Sequence, residues 1–291
     1  MHTATRGTGV AGVRAMKSQF VGIAGLPRAG STLLCQLLSE HPDIHCEGHS
    51  SPLCNALLAT RRNISHDPFM LSQLDTQFDT SYGNLKSALQ GFLHGWYASC
   101  GKPLVADKNR AWLQCVELLL DLDPAARVLV PIRELGQIYG SIEAQHQKTI
   151  LLDFIDSLAD LDRLSRADQL FAKDKSIGAP LLSIQALQDL PLAVRDRVYF
   201  VRYEDLMQAP QRTMGGIYRW LELPDHTMDP EHLTVRPHES DSYYRYKYRH
   251  AQRARMEAPA PHDIPLRVQQ LVEQACSWYY EWFYPERPKP S

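Results

Sequence analysis

A glycine-bounded loop near the start of the chain carries the residues best suited to bind an anion. This glycine loop, residues 25–30, reads Gly-Leu-Pro-Arg-Ala-Gly and follows an apolar run at 20–24. Ser31 and Thr32 then open a helical pattern of leucines. A strand, a glycine-bounded loop and a helix N-terminus together direct backbone N–H groups at a bound phosphate. The two hydroxyls can cap the helix and also donate to the anion.

The glycine loop differs from nucleoside-triphosphate loops in the position of its cation. Those loops read G-x-x-x-x-G-K-[ST], with the lysine on the outer phosphates and the hydroxyl on magnesium. Here Ser31 occupies the lysine position, and the cation is Arg28 inside the loop. A planar guanidinium suits bidentate phosphate contacts. The pattern predicts a phosphate-bearing ligand held without the lysine–magnesium pair, and a purely structural turn is the alternative.

Three further polar residues directly follow apolar runs of strand length. Lys108, Arg133 and Tyr203 each come after such a run, and Ser141 lies two helical turns beyond Arg133. Parallel sheets bind ligands at the carboxyl ends of their strands, so we expect these side chains near the glycine loop. Arg133 and Ser141 can then converge on one phosphate. The structural alternatives are a solvated lysine, an arginine in a salt bridge and a core tyrosine.

Strand-like runs alternate with helical patterns along most of the chain. This alternation predicts an α/β fold with a parallel sheet flanked by helices on both faces. The length of 291 residues suits one large domain. We expect a disordered leader at 1–19 and a single domain at 20–291. Within that domain, 150–190 is predicted to form a helical cap insertion and 236–261 a flexible flap.

The regions between the strands give less regular predictions. We expect a short strand at 43–46 followed by a loop at 47–52. Short surface helices are expected at 63–84 because the stretch is polar, and an amphipathic helix is expected at 85–100. The charged stretch 151–171 is predicted to be helical and to cover the acceptor side of the site.

The overall composition is that of an ordinary globular protein. The formal net charge of −2 gives no general attraction to nucleic acid or anionic lipid. The basic stretch 245–255 is short, so we expect it to cover a bound ligand and not to bind nucleic acid. No window is long enough to span a membrane. Six cysteines without C-x-x-C spacing, and no signal peptide, favour a cytoplasmic setting. The oligomeric state stays open.

Together these motifs resemble the motifs of the sulfotransferases that use 3′-phosphoadenosine-5′-phosphosulfate (PAPS). The segment Pro-Arg-Ala-Gly-Ser-Thr-Leu is similar to the Pro-Arg-Ser-Gly-Thr-Thr-Leu form of tyrosylprotein sulfotransferases and their bacterial relatives. The resemblance implies a P-loop nucleotide-kinase-like sulfotransferase fold with a helical cap. It also implies that the 5′-phosphosulfate group is held by Pro27, Arg28, Ala29, Gly30, Ser31 and Thr32.

The same resemblance implies roles for the strand-end residues. Arg133, with Ser141 eight residues later, matches the family's 3′-phosphate motif, although Glu134 replaces an aspartate found in many relatives. Tyr203 matches a tyrosine that contacts the nucleotide. Lys108 matches a catalytic lysine that stabilises charge on the sulfuryl and bridging oxygens. Preorganised cations of this kind often contribute about 3 kcal/mol to a transition state.

The acceptor base is the point at which the sequence departs most from the family. The family's Cys-Gly-Glu-Glu segment aligns with residues 46–49, which read Cys-Glu-Gly-His, so its catalytic glutamate falls on His49. We rank His49 first, because histidine is a competent base near neutrality, and Glu47 second. If neither residue is the base, the acceptor's proton must pass to Asp107, to another loop or to solvent. The nearby histidines lack zinc-site spacing, so no metal is predicted.

The resemblance implies sulfuryl transfer from PAPS to a hydroxyl acceptor by metal-free in-line displacement. The acceptor is either a peptidyl tyrosine or a small-molecule alcohol or phenol. One alternative is a magnesium-dependent kinase of a small metabolite, which the missing loop lysine disfavours. Another is a nucleotide-binding regulatory module without acceptor chemistry.

Overall fold

A computed structural model describes residues 18–152, 158–235 and 252–287. Almost all of the predicted leader therefore lies outside the described residues, as do residues 236–251 of the predicted flap. The described part of the flap, 252–261, contains no helix or strand.

The centre of the fold is one five-stranded parallel sheet, in the order β2-β3-β1-β4-β5. Because β1 lies between β3 and β4, the chain segments that follow these three strands meet at one edge of the sheet. The predicted α/β architecture with a parallel sheet is confirmed. The strands are β1 (Gln19–Ile23), β2 (Ile44–Ser50), β3 (Leu104–Lys108), β4 (Arg127–Ile132) and β5 (Val198–Arg202).

Helices cover both faces of the sheet. The described helices are α1 (Ser31–Leu38), α2 (Leu53–Ser65), α3 (Pro68–Gly95), α4 (Val116–Leu122), α5 (Leu135–Lys148), α6 (Arg163–Phe171), α7 (Gly178–Ala186), α8 (Leu192–Arg195), α9 (Tyr203–Gln208), α10 (Pro210–Trp220), α11 (Leu266–Ala275) and α12 (Ser277–Phe283). Short 3₁₀ turns occur at Arg110–Cys115, Leu158–Asp160 and Leu187–Asp189.

The alternation of side chains along the strands divides the core into two clusters. Phe20 of β1 belongs to the larger cluster, with Trp112 and residues of α2–α7, α11 and α12. Its neighbour Val21 belongs to the smaller cluster, with residues of α1, α9 and α10. All six residues of β4 are buried, as expected of a strand covered on both faces. The two clusters hold the carboxyl edge of the sheet rigidly in place.

The strand β2 is longer than predicted. The expected loop at 47–52 is wrong up to Ser50, because Ser50 pairs with Lys108 of β3 and continues the ladder. The register shifts between Cys46 and Ser50, and Gly48 takes a positive φ of 85° within this bulge. A bulge of this kind redirects side chains beside an active site.

Two helical predictions also need correction. The separate helices expected at 63–84 and 85–100 are largely replaced by the single α3, which is kinked at Gln77. Asp67 caps its start by accepting from the backbone N–H of Met70 at 2.9 Å. The stretch 151–171 was predicted to be helical, but α6 begins only at Arg163. Asp162 is its N-cap residue. Residues 153–157 lie outside the described part of the chain.

Candidate active site

Positive backbone angles and close contacts shape the glycine loop. Gly25, Arg28 and Gly30 have φ values of 121°, 57° and 88°. A Cβ on Gly25 would lie 2.7 Å from the carbonyl oxygen of Pro131, and one on Gly30 would lie 2.5 Å from Cδ2 of Tyr203. Glycine is therefore required at both ends by conformation and by space.

The helix α1 begins directly at the end of this loop. Gly30 is its N-cap residue, so the predicted capping by Ser31 or Thr32 is wrong. The N–H of Leu34 donates to the Gly30 carbonyl oxygen at 2.9 Å. Ser31 and Thr32 occupy the first turn and line a cavity. The first N–H groups of a helix have no partner within the helix, so this turn is suited to an anion.

Residues from three separate segments meet at the glycine loop. Arg28 Nε donates to Ser141 Oγ at 3.0 Å, and Arg133 donates to the Arg28 carbonyl oxygen at 3.2 Å. The Arg133 guanidinium lies 4.5 Å from the centre of the Tyr203 ring. Burial raises the pKa of Tyr203, so its phenol stays neutral. The residues predicted at the ends of β4 and β5 therefore converge on the loop.

A cavity of about 320 Å³ opens above this cluster. Pro27 and Ala29 do not line it, and both are buried beneath the loop. Their contribution is therefore to the loop's conformation and not to a side-chain contact with a ligand. The predicted residues that do line the cavity are Arg28, Gly30, Ser31, Thr32, Arg133, Ser141 and Tyr203.

One wall of the cavity is a late segment, residues 252–262. The side chain of Gln36, only 4% exposed, donates to the carbonyl oxygens of Thr234 at 3.0 Å and Arg253 at 2.9 Å. Gln36, between Cys35 and Leu37, is a polar residue within the apolar run of α1, which signals a buried polar contact but does not specify its partner. The segment's lining residues, which the sequence did not assign individually, are Gln252, Arg253, Arg255, Met256, Glu257, Pro259 and His262.

The cavity is rich in positive charge. Arg28, Arg133 and Lys148 bring cations from the glycine loop, the end of β4 and the end of α5. The carboxylate of Glu257 is paired with both late arginines, at 2.6 Å from Arg253. Glu257 offsets only part of the charge of the two late arginines, so with Arg28, Arg133 and Lys148 the cavity lining is net positive.

Lys108 connects the glycine-loop side of the site to β2. Its ammonium group donates to the Gly48 carbonyl oxygen at 2.6 Å and lies 3.4 Å from Thr32 Oγ1. The following residue, Asn109, is held by its side-chain bond to the Ser51 carbonyl oxygen at 2.7 Å. The ammonium is thereby fixed beside the first turn of α1.

Asp107 is enclosed beneath Lys108 and is only 1% exposed. Trp112 Nε1 donates to one carboxylate oxygen at 2.6 Å, and the Tyr97 hydroxyl donates to the other at 2.7 Å. Burial raises the pKa of Asp107 from its ordinary value. Both oxygens are thus used in structural hydrogen bonds.

His49 and Glu47 lie side by side on the outer edge strand of the sheet. His49 Nε2 is 2.9 Å from Glu47 Oε2, and the two side chains are 39% and 48% exposed. His45 Nε2 is 3.5 Å from the other oxygen of Glu47. The two candidate bases are therefore in direct polar contact. Neither lines the 320 Å³ cavity, but both flank Gly48, which holds Lys108.

The described residues contain neither a candidate metal site nor a candidate membrane-spanning helix. Across 18–152, 158–235 and 252–287, no group of three or more His, Cys, Asp or Glu residues could hold a metal ion. Within the same ranges, no helix is long and apolar enough to cross a membrane.

Comparison with known proteins assigns the family. Residues 21–227 match the model of the Sulfotransferase family, which covers the glycine loop and every strand after the start of β1. The chain belongs to the sulfotransferase family, and the resemblance noted in the sequence is confirmed.

The curated relatives include tyrosylprotein sulfotransferases. The chain is 24% identical over 204 residues to protein-tyrosine sulfotransferase 1 of Danio rerio, covering 69% of this chain and 52% of that protein. It is 26% identical over 219 residues to protein-tyrosine sulfotransferase 2 of Gallus gallus, covering 74% and 54%. The chain thus spans about half the length of these relatives. Sulfotransferase STF9 from Mycobacterium avium aligns over 93% of this chain and 77% of that one, with 16% identity and a TM-score of 0.47.

Proposed function

We propose that the protein transfers the sulfuryl group of PAPS to a hydroxyl acceptor. The observation that carries this proposal is the convergence of Arg28, Arg133 and Ser141 on a glycine loop that has Ser31 in the lysine position. Such a loop can bind phosphate oxygens through backbone N–H groups without a lysine–magnesium pair. Membership of the sulfotransferase family supports the same donor.

The cavity residues are suited to a nucleotide whose ribose carries anionic groups at both the 3′ and the 5′ positions. The first turn of α1 and Arg28 are suited to the 5′-phosphosulfate end. Arg133 and Ser141 are suited to the 3′-phosphate, since guanidinium and hydroxyl groups donate to phosphate oxygens. Tyr203, stacked on Arg133, supplies an aromatic wall.

Lys108 is the proposed charge-stabilising residue. Its ammonium has three N–H groups, of which one donates to the Gly48 carbonyl oxygen and another faces Thr32. The remaining N–H can donate to the oxygen that bridges sulfur and phosphorus. In the reaction the acceptor oxygen forms a bond to sulfur while that bridging S–O bond breaks. Lys108 stabilises the negative charge that develops on the leaving phosphate.

His49 is the proposed base, with Glu47 as its partner. The carboxylate faces His49 Nε2 at 2.9 Å, which favours the tautomer with its proton on Nε2. The acceptor's hydroxyl proton then passes to Nδ1 as the new S–O bond forms. A carboxylate beside the imidazole stabilises the imidazolium that results. The alternative, in which Glu47 itself is the base, requires its carboxylate to leave this contact with His49.

The proposed acceptor is a peptidyl tyrosine or a small alcohol or phenol. The tyrosylprotein sulfotransferases among the relatives support the first class. We propose that the reaction needs no metal and takes place in the cytoplasm. All six cysteines are free thiols, which supports a reducing compartment.

Calorimetric titration tests the donor assignment. Adenosine 3′,5′-bisphosphate (PAP), AMP and ATP are titrated separately, each with and without EDTA. We expect PAP to bind most tightly and EDTA to change nothing, because the site has guanidinium groups and no loop lysine. ATP binding that exceeds PAP binding and depends on magnesium would favour a kinase instead. Transfer of ³⁵S from labelled PAPS to a tyrosine peptide and to 2-naphthol then separates the acceptor classes from a regulatory module.

A further inference from the structure

His262 lies against the helix that carries Ser141. It lines the donor cavity, and a Cβ on Gly140 would lie 2.5 Å from the Cβ of His262. The absence of a side chain at Gly140 therefore lets the histidine approach α5 one residue before Ser141. No part of the family resemblance assigned this residue a role.

The position of His262 is fixed through its backbone. Its N–H donates to Gln137 Oε1 at 2.9 Å, and Gln137 Nε2 donates to its carbonyl oxygen at 3.2 Å. One side chain of α5 thus holds both backbone groups. Because this attachment uses no atom of the imidazole, the side chain can be replaced without removing it.

The groups facing the imidazole are mostly cations. Arg28 comes from the glycine loop, Arg133 from the end of β4 and Lys148 from the end of α5. On the segment that carries His262 itself, the nearest lining charges are Arg253, Arg255 and Glu257, which are paired with one another. The titratable lining group from α9 is Tyr203.

This environment disfavours a charged imidazole while no ligand is bound. Burial, followed by the charges of Arg133, Arg28 and Lys148, lowers the pKa of His262 from its ordinary value. A phosphate dianion bound among the same cations adds negative charge beside the imidazole. An opposite charge within a few ångströms favours the protonated form of histidine.

We propose that His262 is a donor-binding residue that takes up a proton when the nucleotide's 3′-phosphate binds beside Ser141. This inference rests on the proposed function, because it takes PAP and PAPS as the ligands of the cavity. The neutral imidazole of the empty site becomes an imidazolium that donates to a phosphate oxygen. Because binding consumes a proton, the affinity for PAP falls as the pH rises through the neutral range.

Titration calorimetry at pH 7 in buffers of different ionisation enthalpy measures the protons exchanged on PAP binding. His262→Gln is compared with wild type and with His66→Gln, an exposed histidine at the end of α2 that serves as the matched control. We expect wild type and His66→Gln to take up about half a proton more than His262→Gln. At pH 6, His262→Gln should bind PAP about tenfold more weakly. Its affinity should also depend less on pH.

The phosphates of PAP also exchange protons on binding. Subtracting the proton uptake of His262→Gln from that of wild type removes this contribution. Equal proton uptake by wild type and His262→Gln would overturn the inference while leaving the PAP site intact. Failure of wild type to bind PAP would overturn the donor assignment, and the inference with it. As a second measurement on unaltered protein, long-range ¹H–¹⁵N spectra follow the His262 ring. Its apparent pKa should rise by about one unit or more with PAP, and an unchanged value would count against the proposal.

Discussion

The proposed donor half (the glycine loop with Arg133, Ser141 and Tyr203) and the proposed acceptor half (Glu47 and His49 of β2) are built in different ways. In the donor half, Gly25 and Gly30 have positive φ angles and no space for a Cβ. In the acceptor half, His49 and Glu47 project from an edge strand and are 39% and 48% exposed. The donor half is therefore constrained by conformation, whereas the acceptor half depends on which side chains are present.

We expect this difference to allow substitutions in the proposed acceptor half that do not disturb the proposed donor half. Substitution at Gly30 disturbs the loop and the packing of Tyr203 together. Substitution at His49 alters an exposed side chain on β2, and the sheet ladder of that strand is formed by its backbone. Lys108 touches both halves, through Thr32 of α1 and Gly48 of β2.

Substitution of Lys108, whose ammonium contacts both halves, should have the largest effect on turnover. Lys108→Met keeps most of the side-chain length but leaves charge on the leaving phosphate unstabilised. We expect turnover to fall by about 10²–10³-fold, with PAP affinity changed only slightly, because the affected charge develops in the transition state. Single-turnover assays and PAP titration measure the two quantities.

Lys86→Ala is the matched control, because Lys86 forms an exposed ion pair with Asp121 on the surface. Its turnover should match wild type. If Lys108→Met lost PAP affinity by the same factor as turnover, Lys108 would act in ground-state binding. The proposed catalytic role of this residue between the two halves would then be wrong.

Substitution of His49, the proposed base in the acceptor half, should have the next largest effect on turnover. His49→Gln keeps hydrogen-bonding capacity but cannot take up a proton, so turnover should fall about 10²-fold at unchanged PAP affinity. Glu47→Gln should cost about tenfold or less, because it only removes the charge that stabilises the imidazolium. Steady-state kinetics on both variants decide the order. A dead Glu47→Gln enzyme beside an active His49→Gln enzyme would make Glu47 the base.

A substitution in the donor half should act through conformation. Gly30→Ala forces a residue with a Cβ into φ 88° and against the Tyr203 ring. Strain of about 1–3 kcal/mol should weaken PAP binding by about tenfold and lower the melting temperature. Gly91→Ala is the control, since a Cβ at that helical glycine meets nothing within 4 Å, and it should stabilise slightly. Unchanged PAP binding by Gly30→Ala would mean that the loop's backbone does not form the binding surface.

The donor half was largely predictable because its signals are local. The glycine loop, and Arg133 and Tyr203 at the ends of β4 and β5, follow from runs of apolar residues and the residues that end them. The extension of β2 was not predictable, because Ser50 joins the ladder only through Lys108 of another strand.

The individual contacts of the wall formed by 252–262 were not predictable for the same reason, although the sequence predicted that a flap at 236–261 covers the ligand. Its attachments run from Gln36 to Arg253 and from Gln137 to His262, across more than a hundred residues of sequence. Single glutamines on helices have no pattern that specifies a distant partner. Local sequence therefore predicts the structure of the glycine loop better than that of the segment that covers it.

The smallest effect is expected from Asp107→Asn, although Asp107 directly precedes Lys108. The sequence left this carboxylate as a fallback base, but both of its oxygens accept hydrogen bonds, from Trp112 and Tyr97. An amide can keep much of this network, so turnover should fall by about threefold at most, within the range of a modest structural change. Loss of two orders of magnitude, with PAP affinity retained, would instead make Asp107 the base.

The same variant should also differ from wild type in how its free energy of unfolding depends on pH. Because burial raises the pKa of Asp107, its contribution to folding is fully present below the pKa of the unfolded chain, about 4, and is lost as the pH rises through the folded-state pKa. Asparagine imitates the protonated form at every pH. The free energy of unfolding of wild type relative to Asp107→Asn, measured with urea, should therefore fall as the pH rises from 4 to 7. A difference that instead grew with pH would mean that the ionised carboxylate stabilises the fold, as expected of a residue whose charge is needed beside Lys108.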